Sequence, residues 1–258
     1  MSYRKSGQRI FSHHNQDQRF KQGLAGHYIG FGGGKTVPDL SGNHKHATIV
    51  GAPQRVLTKD GQRSCWRFDG SADYITTPQP WSDAPTQYFL SLWVYDTAGG
   101  EGIAYNWRRS VNNAVWFEIQ GQYGTWRCFA GDGSNPLVTV TAGTQTTNVW
   151  THLLMVRDGN TVTFYKDGVQ TGTTTGTIGT ITMAGGEYPV IGAQSNDFIR
   201  KWTGMIADVR LYKRLPTDAD IKILSSPTFR PIRRFNRRHT VEPIAASTTA
   251  KSYGYIFG

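Results

Sequence analysis

The sequence predicts an all-β sandwich, and three observations carry that reading. Residues 150–170 hold two linked hairpin signals, residues 45–140 hold short strand-like runs with turn chemistry between them, and no helical period is sustained for long in that span. The hairpin stretch is the clearest. Trp150, His152, Leu154 and Val156 alternate, Asp158-Gly159-Asn160 breaks the run, alternation resumes at Val162 and Phe164, and Asp167-Gly168 follows at once. Period-two patterning on β-branched and aromatic residues, bounded by Asp-Gly and Gly-Asn, reads as a meander.

Taken in order, residues 1–23 form a polar, basic arm whose sizeable apolar groups are Ile10, Phe11 and Phe20 besides Tyr3, too few for a core. An alternating strand opens the domain at Leu24–Phe31. Gly32-Gly33-Gly34-Lys35-Thr36 ends like a phosphate-binding loop, but the spacing from Gly30 is one residue short and Val37-Pro38 stands where that motif needs a helix, so a turn is expected. Strands are expected over Ala47–Val50, Ser64–Phe68, Tyr74–Thr76, Tyr88–Tyr95, Gly102–Asn106, Val115–Gln120, Thr125–Phe129 and Val138–Val140. The Gly/Thr-rich run Thr171–Thr182 fits an edge strand and loop. Leu215–Leu224 reads as one short helix: Thr217 is the N-cap, Asp218 and Asp220 lie in the positively polarised first turn, and Ile221 with Leu224 make an apolar stripe. Ser225-Ser226-Pro227 ends it. The division is therefore an arm over 1–23, one sandwich over 24–226, and an Arg/aromatic-rich arm over 227–258.

The length of 258 residues suits one large β domain with extensions, and a core of that size needs no disulfide. Cys65 and Cys128 each sit in a strand-like run beside an aromatic; two buried thiols or one disulfide both fit, and no Cys/His cluster suggests zinc. Charge is segregated. Of the net +10, residues 1–23 carry +4 (Arg4, Lys5, Arg9, Arg19 and Lys21 against Asp17) and residues 227–258 carry +5 (Arg230, Arg233, Arg234, Arg237, Arg238 and Lys251 against Glu242), which leaves +1 for the middle. The first residues show no apolar core of a secretory signal, and no stretch approaches the length of a membrane span, so no membrane partner is expected.

Several fragments in order give the sandwich a family. Asp39-Leu-Ser-Gly-Asn43 with Ala47–Gly51, Arg67-Phe-Asp-Gly-Ser-Ala-Asp-Tyr-Ile75, Phe89-Leu-Ser-Leu-Trp-Val94, the Trp150–Gln170 hairpins, and Ile191-Gly-Ala193 followed by Trp202–Tyr212 resemble the laminin G-like, concanavalin A-like lectin/glucanase jelly-roll family. The resemblance implies a concanavalin A-like β-sandwich with a short helix after the last strand. It fixes architecture better than activity, because the fold hosts lectins, glycosidases, peptide binders and spacers.

No cofactor is firmly implied. The family's calcium site would draw on Asp39, with Asn43 supplying a further oxygen. Its second carboxylate fails to match, since Ala207 stands there and Asp208, one residue on, belongs to the opposite face of a strand. Turn capping by Asp39 and Ser41 accounts for the same residues without an ion. Jelly-roll glucanases set alternate acids along one strand, but Glu101, Glu118, Glu187 and Glu242 form no such run, so no enzyme is expected.

For carbohydrate, the loop aromatics Trp81, Trp107 and Tyr123 beside Arg108, Arg109 and Asn112 suggest a shallow patch, with packing under a loop as the competing reading for each. The tail's Arg230, Arg233, Arg234, Phe235, Arg237 and Arg238 could meet phosphates, but their Pro-spaced, aromatic setting favours a docked protein arm over a nucleic-acid tether. Tyr253, Tyr255 and Phe257 make an apolar stretch that calls for a cover. The expectation is a non-enzymatic virion protein of a bacteriophage head, fibre or tail, fastened by its arms to other virion proteins or to copies of itself, with a host glycan as a further partner. The alternative is a secreted lectin or the binding module of a polysaccharide-degrading enzyme.

Overall fold

A computed structural model describes residues 20–58, 63–83, 85–108, 116–132, 138–179, 188–195 and 198–227. Its strands begin with β1 (Leu24–Tyr28), β2 (Thr36–Val37), β3 (Ala47–Val50), β4 (Gln54–Leu57), β5 (Ser64–Asp69), β6 (Tyr74–Thr76), β7 (Gln87–Asp96) and β8 (Gly102–Arg108). There follow β9 (Trp116–Gln122), β10 (Thr125–Gly131), β11 (Val138–Thr144), β12 (Trp150–Asp158), β13 (Thr161–Lys166), β14 (Val169–Thr175), β15 (Val190–Ile191), β16 (Thr203–Tyr212) and the helix α1 (Asp218–Leu224). Of the expected arms, residues 1–19 and 228–258 lie outside the described residues.

Among the described residues the strands make two eight-stranded sheets. The first runs β14, β13, β12, β7, β16, β5, β4, with β1 also paired to β16; the second runs β11, β10, β9, β8, β15, β6, β3, β2. Both signalled hairpins are present. Asp158 faces Thr161 across Gly159-Asn160, and Lys166 faces Val169 across Asp167-Gly168, whose φ values of 51° and 80° are the left-handed pair that a two-residue hairpin loop requires.

The sheets enclose one core. Trp66, Phe68, Tyr105, Trp107, Trp126, Phe164 and Trp202 all lie in it and are essentially sealed from solvent. Burying each such ring stabilises the fold by about 1.5–3 kcal/mol before the entropy of ordering it is set against the gain. Trp126 and Trp202 stack at 6.1 Å between centroids.

The alternation that marks the hairpin splits between two faces. Because Arg157 stands opposite Val162 and Met155 opposite Phe164, Val162 and Phe164 share the inner face with Leu153 and Met155. Leu154 and Val156 lie on the outer face, where they form a second cluster with Phe20, Phe89, Tyr212, Ile221 and Leu224. Helix α1 is the lid of that cluster. Its start is a capping box: Thr217 Oγ1 accepts the Asp220 N–H at 3.2 Å and the Asp220 carboxylate accepts the Thr217 N–H at 2.9 Å. Its last turn is tied down by the Trp93 indole N–H, which donates to the Leu224 carbonyl at 3.0 Å. No helix among the described residues is long and apolar enough to cross a membrane.

Candidate functional site

The second sheet sends Ile119, Trp126, Cys128 and Trp107 into the core, so the residues that alternate with them face outward. Those residues are polar: Glu118, Gln120 and Gln122 on β9, Asn106 on β8 and Arg127 on β10. Asn106 holds the buried end of the row. Its amide donates to Glu118, and its Oδ1 accepts the Ser195 N–H at 2.8 Å and the Ser195 hydroxyl at 2.6 Å. Further along, Gln120 donates to Gln122 Oε1 at 3.1 Å, Arg127 donates to the same oxygen at 3.3 Å, and the Gln122 amide donates to Glu101. Glu101 pairs in turn with Arg200 at 3.1 Å.

The row runs from sealed to open. Glu118 and Gln120 are buried, Glu101 and Arg200 are about a third exposed, and Tyr123, at the tip of the β9–β10 hairpin, is 80% exposed. Tyr123 and Gly124 have φ values of 50° and 73°, and this tight turn aims the tyrosine away from the core. The Arg127 guanidinium lies 5.6 Å from the Tyr123 ring centroid. Amides, a carboxylate and a guanidinium held beside an open ring can hydrogen-bond to hydroxyls while the ring packs on a flat apolar face.

This arrangement revises the expected patch. Tyr123 is where such a patch needs it, but Trp81 and Trp107 are core residues, 5% and 1% exposed, with ring centroids 5.9 Å apart. Trp107 alternates with the outward-facing Asn106, which puts it on the inner face, and Trp81 is tucked against it and Tyr88. Arg109 and Asn112 lie outside the described residues, and of Arg108 only the strand backbone is described. The expected anchors Arg230, Arg233, Arg234, Phe235, Arg237, Arg238, Tyr253, Tyr255 and Phe257 also lie outside them. The Glu-x-Gln-x-Gln alternation over 118–122 is the signal by which the polar row could have been found, since Ile119 fixes which face is which.

The expected calcium ligands do not fit an ion. Asp39 Oδ1 accepts the backbone N–H of His27 at 3.1 Å and of Ser41 at 2.9 Å, while Oδ2 accepts the Ser41 hydroxyl at 2.7 Å and the Lys45 N–H at 3.1 Å. Asn43 turns its amide nitrogen to the Leu24 carbonyl at 2.8 Å. Both carboxylate oxygens thus face hydrogen-bond donors, which a cation would have to displace. Among the described residues no group of three or more His, Cys, Asp or Glu could hold a metal.

Asp208 is also engaged. It sits at φ 51° in an irregularity of β16, where the strand's partner changes from β5 to β1. Its Oδ1 lies 2.8 Å from both His27 Nε2 and Arg210 Nε. Burial alone would raise its pKa, but the Arg210 guanidinium and the His27 ring outweigh that and hold the carboxyl well below the usual range. Nearby, His152 Nε2 lies 2.8 Å from the Ser91 hydroxyl, and its buried Nδ1 has no hydrogen-bond partner among the described residues. Burial first, then Arg63 and Arg210 against the opposing Asp208, pulls the His152 pKa down to about 3. The ring is neutral and structural.

The sequence profile of the concanavalin A-like lectin/glucanase superfamily matches residues 69–222, more than half of the chain. Domain 4 of AbnA, a GH43 extracellular arabinanase from Geobacillus stearothermophilus solved in complex with arabinotriose, is similar in structure at a TM-score of 0.64 and 22% identity, over 79% of this chain and 98% of that one. The binding domain of Paraclostridial Mosquitocidal Protein 1 is similar at a TM-score of 0.62 and 13% identity, over 80% of this chain and 52% of that one. The receptor-binding domain of botulinum neurotoxin D is similar at 0.61 and 14%, over 80% and 53%. At such identities the likeness concerns the fold. No curated protein matches the chain.

Proposed function

This chain belongs to the concanavalin A-like lectin/glucanase superfamily, and from that premise we propose that it is a non-catalytic domain that binds carbohydrate at the open end of the β9 row. The observation that carries the reading is Tyr123, 80% exposed, beside Arg127, Gln122 and Glu101. A retaining glycosidase needs two carboxyl groups about 5–5.5 Å apart. Here Glu118 and Gln122 stand about 13 Å apart along β9, and Glu101 is held at the Gln122 end, so the row supports binding rather than hydrolysis. The arabinotriose complex of the AbnA domain makes short neutral oligosaccharides the first ligands to try.

The test is a glycan array followed by calorimetric titration of the full chain. Tyr123→Ala and Gln122→Ala are each expected to weaken binding about tenfold or more, equivalent to about 1.4 kcal/mol. No retained glycan, or affinity unchanged in both variants, would overturn the reading.

The setting we propose is an assembled particle, a virion component fastened through its terminal segments. The segregation of charge supports it: the sandwich is nearly neutral and the two ends hold +4 and +5. Replacing Arg233, Arg234, Arg237 and Arg238 by Ala in the full chain should abolish incorporation, and unchanged incorporation would sink this part of the proposal.

A further inference from the structure

The outer face of the first sheet is covered unevenly, and two neighbouring cross-strand rows of side chains show where the cover stops. In the first, Val56, Cys65, Ala207, Trp93 and His152 stand opposite one another on β4, β5, β16, β7 and β12. The exit of α1 lies over that row. The Trp93 indole donates to the Leu224 carbonyl, and the Arg63 guanidinium, itself bonded to the Ser226 and Pro227 carbonyls, sits 3.8 Å from the Trp93 ring centroid. In the next row, two residues along each strand, Gln54, Arg67, Met205, Tyr95 and Trp150 are in register on the same five strands. Here Met205, Tyr95 and Trp150 are half-buried and Arg67 is exposed. The last four of these residues line a groove of about 580 Å³ together with Val56 and Thr97.

The row has an apolar end and a cationic end. The Tyr95 and Trp150 rings, 5.6 Å apart between centroids and inclined at 56°, make a corner in which a flat ring can pack against both. The thioether of Met205 comes next, and Arg67 lies two strands, about 10 Å, from Tyr95. Among the described residues the Arg67 guanidinium makes no hydrogen bond or ion pair, and the carboxylate two residues on, Asp69, is taken by the Ser71 and Ala72 N–H groups. Other polar side chains in the lining are few, chiefly Thr58 and Thr97. A sugar seated there would leave most of its hydroxyls without partners, whereas a ligand with an apolar ring and one carboxylate leaves nothing unmet, since a guanidinium binds a carboxylate through two parallel hydrogen bonds.

We propose that this groove is a second binding site, for an aromatic carboxylate, whose ring seats in the corner of Tyr95 and Trp150 over Met205 and whose carboxylate pairs with Arg67. The site lies on the other sheet from Tyr123 and does not depend on carbohydrate binding.

The test is calorimetric titration of the full chain with 2-naphthoate and with its neutral counterpart 2-naphthamide, in about 0.15 M salt so that loose attraction to a chain of net charge +10 is screened. Naphthoate is expected to bind at one site at least about tenfold more tightly than the amide. Arg67→Gln, at an exposed position that the fold tolerates, should erase that preference. Lys222→Gln removes the same charge from the exposed side of α1 and should leave naphthoate affinity unchanged. Decanoate, with the charge but no ring, should bind more weakly than naphthoate. No binding of naphthoate, equal affinity for the acid and the amide, or an equal loss in the two variants would each overturn the proposal, and decanoate bound as tightly as naphthoate would overturn the assignment of an aromatic ligand.

Discussion

His152 makes the fold acid-labile by an amount that can be worked out. Its pKa is 6.5 in an open chain and about 3 in the folded one. Between those values the unfolded chain binds a proton that the folded chain does not, so the stability held above pH 6.5 is lost as pH falls toward 3. Each unit of difference is worth about 1.4 kcal/mol, so at about pH 4.5, two units below the open-chain value, the ring costs the fold about 3 kcal/mol. The cause is burial of the ring, to which Arg63 and Arg210 add against the opposing pull of Asp208; Ser91 meets Nε2, and Nδ1 has no hydrogen-bond partner among the described residues. His152→Gln keeps a donor for Ser91 and cannot titrate. Urea unfolding at pH 7 and about pH 4.5 should show the native chain losing about 3 kcal/mol more than the variant, whose stability at pH 7 falls by about 1–2 kcal/mol through imperfect packing. Acid titration of His27 and Asp208 is common to both chains and cancels. Equal losses in the two proteins would refute the reasoning.

Three further outcomes follow from the geometry. Gly204 has φ 131° and a Cβ there would lie 2.1 Å from the Tyr95 carbonyl oxygen, so Gly204→Ala should destabilise the fold by about 3 kcal/mol or more in a denaturant titration. Burial pushes the Cys65 thiol up to about 12 and Cys128 well above its ordinary value, so neither should react with an exposed-thiol reagent at pH 8 until the chain unfolds, and rapid labelling of the native protein would contradict the packing. Because both Asp39 oxygens face hydrogen-bond donors, EDTA or added Ca²⁺ should shift the melting temperature by less than about 1 °C; a rise with calcium would restore the ion-binding reading.

What could be read from the sequence followed from local chemistry. The hairpins around Asp158-Gly159-Asn160 and Asp167-Gly168, the strands Ala47–Val50 and Tyr74–Thr76, the Gly/Thr edge strand β14 and the Thr217-capped helix all appear at or near their expected places. Each is specified by residues within a few positions of one another. Strands β2, β4 and β15 escaped notice because none carries a pattern of its own and each is defined by its partner.

The site was less legible. Trp81 and Trp107 looked available because an aromatic excess can serve a surface or a core, and only the alternation of Trp107 with Asn106 across two packed sheets decides which. For Asp39 the turn capping expected with Ser41 is present, and the folded chain adds the backbone N–H groups of His27 and Lys45. By itself, then, the sequence determined the fold class, the hairpins, the capped helix and the division of charge, since short-range stereochemistry and composition encode them. Only the tertiary structure decided which face of each strand is sealed and which polar residues converge near Tyr123, because those depend on contacts between residues as distant in sequence as His27 and Asp208.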